Sequence, residues 1–216
     1  MSELAIVTMT VGKIARDVAL LSQPEIGEML ESAPVKGVGG SSAMPHKRNP
    51  VACLQAIAAA TRAPGLMATL LHGALGEHER ALGGWQAELA TTPELLDTLG
   101  SALNALELIA EGLVVNPEAM VANLEALRGL VFSERLARLL ATEMDRGSAL
   151  SLVDDWCATA IAERRHLQAV AAAARPSLRR QLDGVFSLPA IVAELAPLLD
   201  DELAGLDRGQ RPREPA

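Results

Sequence analysis

The sequence predicts an all-α fold, on three observations. Apolar residues fill 50% of the 216 positions, enough for a well-buried core. That share is dominated by Ala and Leu, while Tyr is absent and Phe and Trp occur twice each, a balance that favours helices over strands. Finally, Asn49-Pro50, Thr92-Pro93-Glu94 and Asn116-Pro117-Glu118 each join a capping side chain to a proline at the first helical position, where its missing N–H costs nothing.

In chain order, a first helix is expected from about Glu3 to Ser22, ending near Gln23-Pro24 because proline disfavours helical geometry in the residue before it. Its first residues already read as helix interior, so the chain is expected to begin inside an element. From Ser32 to Asn49 the periodicity breaks and Gly37, Gly39 and Gly40 crowd a polar stretch, read as a mobile loop. Val51 to Leu75 and Pro93 to Leu113 are long and apolar on more than one face, which suits helices deep in a bundle or between subunits, the first of them kinked at Pro64. Shorter, more charged helices follow: Pro117 to Leu127, Ser133 to Met144, Ser148 to Ala174 and a weaker pair before a polar tail at Asp207 to Ala216. The change of texture places a domain boundary at Val114 to Pro117, giving a bundle segment over 1–115 and a helical C-terminal domain over 116–216.

The formal net charge is -8 and the arginines are scattered, so no basic stripe invites nucleic acid. Cys53 and Cys157 are far apart in apolar helical stretches and read as two reduced core thiols. The N-terminus shows no basic leader region and no apolar run reads as membrane-spanning, so a cytoplasmic location away from membranes is expected.

Two stretches concentrate chemistry. In Gly39 to Pro50, glycines permit a loop to open and close, Lys47 and Arg48 supply positive charge, and Asn49 precedes a helix N-terminus whose free amides favour anions. A serine hydroxyl there would have its alkoxide stabilised by the same surroundings. An ordinary flexible loop with solvated cations would have the same composition, and the spacing fits neither a Walker loop nor a dinucleotide fingerprint. The second stretch, Glu77-His78-Glu79-Arg80, has Leu82 where a zinc-binding HExxH helix needs histidine. It reads either as a solvated helix end or as a place where Arg80 clamps a carboxylate. His72 and His166 read as structural.

Gly40-Ser41-Ser42-Ala43-Met44-Pro45-His46-Lys47-Arg48-Asn49-Pro50 resembles the GSSxMPxKxN loop of the fumarase/aspartase superfamily. Glu77 to Trp85 resembles the EHERxLGxW segment of its muconate cycloisomerase branch, whereas adenylosuccinate lyases, which share the loop, continue differently at that point. The similarity extends through Ile109 to Glu118 and Gly129 to Glu134, and weakly to about Leu182. The resemblance implies the superfamily's long central helical bundle followed by a small helical C-terminal domain. It also implies β-elimination or its reverse beside a carboxylate, through an enediolate-like intermediate and without a cofactor or metal.

Carried over by position, it makes Ser41 the base or proton donor and gives Lys47 and Asn49 the carboxylate on which charge builds. Preorganised donors of that kind are commonly the largest catalytic contribution. Ser42 and Met44 would shape the loop and back the pocket, Arg80 would hold a substrate carboxylate, and His46 stands evenly between a substrate contact and a loop residue. The implied reaction is lactonisation of a carboxymuconate, a di- or tricarboxylate, with an adenylosuccinate lyase-like reaction as the enzymatic alternative and an inactive helical bundle or split-enzyme subunit as the other. Members are longer at the N-terminus and build each site from three subunits of a homotetramer. This chain is therefore expected to lack part of the site: a homo-oligomer of it cannot complete that site by self-association, whereas an N-terminal companion chain can.

Overall fold

The computed structural model describes residues 1–31, 44 and 49–209, with side chains to residue 206. They form two compact units, Met1–Val121 and Ala122–Ala216.

The first unit is built on α1 (Ser2–Leu21), α2 (Val51–Gly73) and α3 (Gly84–Gly112). Helix α1 buries Ala5, Thr8, Val11, Gly12, Ala15 and Val18, the one-sided stripe that a 3.6-residue period produces. The helix stops at Leu21, and Gly27, with φ of +63°, turns the chain into strand β1 (Met29–Glu31). Val11, Ala15 and Val18 pack with Ala52 to Ala59 of α2 and with Ala102, Ala105 and Ile109 of α3. At the other end of the bundle Ala5 meets Ala63 and Leu95. The helices therefore alternate in direction, down α2 and back along α3. Most of these buried residues are alanines, so the backbones run close, and the fully buried Leu95 contributes on the order of 2 kcal/mol.

The all-α fold stands with one short strand pair added, and two other sequence expectations change. Thr92-Pro93 is no helix start: α3 passes straight through it, with buried Thr91 and Leu95 holding the helix on either side of the proline. The unit is also not wholly helical. Strand β2 (Leu113–Val115) pairs antiparallel with β1, Met29 opposite Val115 and Glu31 opposite Leu113, and the Asn116 amide donates to the Glu28 carbonyl at 2.8 Å. The β-branched Val114 and Val115 after α3 favour extended backbone and pair with the strand that follows α1. Finally, α2 is 23 residues long with a mean hydropathy of 1.3, long and apolar enough to cross a membrane. Gln55, Arg62 and Pro64 break the run to the eye, but its alanines keep the average high, and its Ala52-to-Ala63 stripe is covered by α1 and α3.

The next helix, α4 (Pro117–Ala126), starts as expected, with Asn116 Oδ1 accepting from the Ala119 amide at 3.2 Å. The second unit packs α5 (Ser133–Leu140), α6 (Arg146–Ala162), α7 (Leu167–Ala174) and α8 (Arg179–Val185) around Leu136, Leu140, Leu167 and Leu182. The single helix expected over Ser148 to Ala174 is two helices, broken at Arg164, whose φ is +53°. His166 caps the second of them, its Nδ1 accepting from the Gln168 amide at 3.2 Å. The His166 ring also lies against Gly129, where a Cβ would come within 2.5 Å of Cε1. Arg135 forks onto Glu194 of α9 (Leu188–Gly209) at 2.8 and 2.9 Å.

Candidate active site

The site is built around the start of α2, where Pro50, not Asn49, occupies the cap position and no side chain next to it in sequence caps the helix. The free amides go instead to Glu31, whose Oε1 accepts from the Ala52 amide at 2.9 Å and Oε2 from the Cys53 amide at 3.0 Å. This corrects the expected Asn49 cap and its consequence. Two of the amides that favour an anion at a helix N-terminus are already satisfied by a carboxylate of the chain itself. Asn49, one residue before the cap, is exposed, as is Met44.

Beside this carboxylate lies the buried Cys53 thiol, with a pKa pushed up to about 12, first by burial and then by hydrogen bonding and charge from Glu31. It is held as a neutral thiol, the inert form. Ser41, Ser42, His46 and Lys47 lie outside the described residues, as does the loop character expected over 32–43 and 45–48.

Arg80 stands at the other end of α2. Glu77 to Arg80 is not a helix end but part of the irregular connection between α2 and α3. His78 and Arg80 there take φ of +50° and +61°, left-handed conformations that cost a residue with a Cβ on the order of 1–2 kcal/mol. The Arg80 guanidinium lies 5.6 Å from the centroid of the exposed Trp85 ring, a cation–π contact that presents the fork from a stiff platform. Twenty-three residues of α2 at 1.5 Å each separate Asn49 from this turn by about 34 Å. Within one chain, therefore, Asn49 and Arg80 are not brought to one substrate.

The remaining candidates are structural. His72 Nδ1 sits 2.7 Å from the Ala68 carbonyl one turn earlier, and His166 caps α7 and packs edge-on against Phe186, centroids 5.6 Å apart. Among the described residues no three His, Cys, Asp or Glu side chains converge as metal ligands. Glu31 is the residue that sequence reasoning missed. Its partners lie 21 and 22 positions further on, beyond the reach of any local capping rule, and the only signal is an acidic residue after the apolar pair Met29-Leu30.

Residues 1–65 match a family model described as a lyase. The 3-carboxy-cis,cis-muconate cycloisomerase of Pseudomonas putida is 47% identical over 170 residues, 78% of this chain and 40% of that protein. The enzyme of the same name from Acinetobacter baylyi is 44% identical over 167 residues, covering 77% and 37%. The crystal structure of β-carboxy-cis,cis-muconate cycloisomerase from Acinetobacter calcoaceticus superposes with a TM-score of 0.79 at 33% identity, over 94% of this chain and 45% of that one. An alternating helical bundle with this similarity belongs to the fumarase/aspartase superfamily, a group of lyases and related enzymes. Among the particular members that this chain is similar to along most of its length are the 3-carboxy-cis,cis-muconate cycloisomerases, and it spans about two fifths of the length of those relatives.

Proposed function

We propose that this chain supplies the proton-transfer segment of a 3-carboxy-cis,cis-muconate cycloisomerase. The observation that carries the reading is the unbroken signature Gly40 to Pro50 within a chain 47% identical to a cycloisomerase of that specificity. In the reaction, an oxygen of one substrate carboxylate bonds to a carbon of a C=C bond. The π pair moves to the carbon alpha to a second carboxylate, and that enediolate takes its proton from Ser41. No electrons are gained or lost overall, so no cofactor is consumed. Lys47 and Asn49 bind the carboxylate on which charge builds, Ser42, Met44 and His46 line the substrate, and Arg80 holds a further carboxylate.

The 34 Å run of α2 gives this division of labour a consequence, because Arg80 of one copy serves the Ser41 segment of another. The copies pair in a homo-oligomer, a tetramer by family, and a companion chain providing the remaining part of the bundle completes the site. Exposed Ile6, Leu54, Leu71 and Leu89 on the bundle helices support such packing. The assembly works in the cytoplasm on a small di- or tricarboxylate.

The test is turnover of 3-carboxy-cis,cis-muconate, followed as loss of the conjugated diene absorbance, by the chain alone and mixed with an N-terminal companion. Lactone formation by the mixture supports the reading, whereas release of fumarate from a succinyl adduct without lactone formation points to an adenylosuccinate lyase-like reaction and contradicts it.

A further inference from the structure

The segment between β1 and α2 follows Glu31 and precedes Asn49-Pro50 in the chain, and one side chain ties those two places together. Glu31 closes β1, fixed in register opposite Leu113 of β2. Its two carboxylate oxygens take the Ala52 and Cys53 amides, one each, at the first turn of α2. Ordinary helix caps come from the residue just before the helix, and here that position is a proline without a capping group. Both partners sit in the packed core, Ala52 3% exposed and Cys53 fully buried among the bundle helices. Charge-assisted bonds from two amides to one carboxylate also define an angle as well as a distance, which a single bond does not.

We infer that Glu31 is a positioning residue for the proton-transfer segment, setting the separation and orientation of its two anchor points. Its effect on catalysis rests on the reading given under Proposed function, while the tie between strand and helix does not. Glutamine at this position keeps one acceptor oxygen at the same reach, aspartate is a methylene too short, and alanine leaves both amides without a partner.

The tie has a reporter of its own in Cys53, which adjoins the carboxylate and is buried. In the 216-residue chain carrying Cys157→Ser, so that Cys53 is the single thiol, iodoacetamide labelling at pH 8 is expected to speed up at least tenfold for Glu31→Ala and Glu31→Asp. Glu31→Gln should speed it by less. Ile109→Val, which loosens the same core cluster while leaving both bonds of Glu31 in place, should stay within twofold of the parent when each variant is labelled equally far below its own melting midpoint. Labelling of Glu31→Ala at the parental rate overturns the tie. In an assembly that turns over, Glu31→Ala is expected to lower kcat about tenfold with KM within twofold, and Glu31→Gln to recover most of the loss. Unchanged kcat beside faster labelling overturns the positioning role. A parent assembly with no turnover at all defeats the functional reading, and the positioning role with it, while labelling still decides the tie.

Discussion

A Cβ atom on Gly12 would lie 2.1 Å from the Cβ of Ala60, so α1 and α2 meet almost backbone to backbone at that level. Alanine is the better helix former by about 1 kcal/mol, so on propensity alone Gly12→Ala should stabilise α1. The overlap decides otherwise, because neither methyl can rotate away and the two helices must separate. Gly12→Ala is expected to destabilise the chain by about 1–3 kcal/mol. Ala60→Gly should restore much of that in the double variant, and urea unfolding of the four proteins in a mutant cycle measures it.

The Cys53 thiol provides a pH test. Its folded pKa of about 12 stands above the ordinary value of 9.0, so folding favours the protonated form. That contribution is complete below pH 9 and is lost as pH rises from 9 towards 12, by at most about 1.4 kcal/mol for each unit. The chain has no tyrosine, so thiolate absorbance near 240 nm can be followed without phenolate. The folded Cys157→Ser variant is expected to show no ionisation step near pH 9, and Cys53→Ala to flatten the alkaline fall in stability.

At the other end of the pH scale, the Arg135 guanidinium holds the Glu194 carboxyl below its ordinary value of 4.5. A depressed carboxyl pKa stabilises the fold above the unfolded value, and the benefit fades as pH falls through the folded one. The melting temperature of the parent should therefore drop more steeply below pH 4.5 than that of Glu194→Gln, with the two curves differing most at neutral pH.

Much of the fold is legible in the sequence because it is local. Ala and Leu composition predicts helices, the stripe of α1 repeats at helical spacing, and Asn116-Pro117 announces α4 with the cap that forms. What sequence reasoning misread was set by partners distant in the chain. Thr92-Pro93 carries a start signal, but Thr91 and Leu95 are buried and the helix continues through it. The pairing of β1 with β2 joins segments more than eighty positions apart, and the cap of α2 comes from Glu31 instead of Asn49. The chemistry of the candidate site is legible in its motifs, while the separation of Asn49 from the turn bearing Arg80, by a helix about 34 Å long, becomes visible only once α2 has a length.

Arg80 occupies a left-handed backbone position at φ of +61°, which glycine tolerates and alanine does not. The usual order of the two residues should therefore invert, with Arg80→Gly more stable than Arg80→Ala by about 1 kcal/mol. Both lose the carboxylate fork, so in a working assembly both should raise KM at least tenfold. Paired thermal melts and steady-state kinetics on the two variants check each half.

The most direct measurement of the central claim is the rate of an active assembly carrying Ser41→Ala. If Ser41 delivers the proton to the carbon alpha to the carboxylate, kcat should fall by about 10²–10⁴, with the assembly intact and substrate still bound. Lactone formation at the parental rate would contradict it.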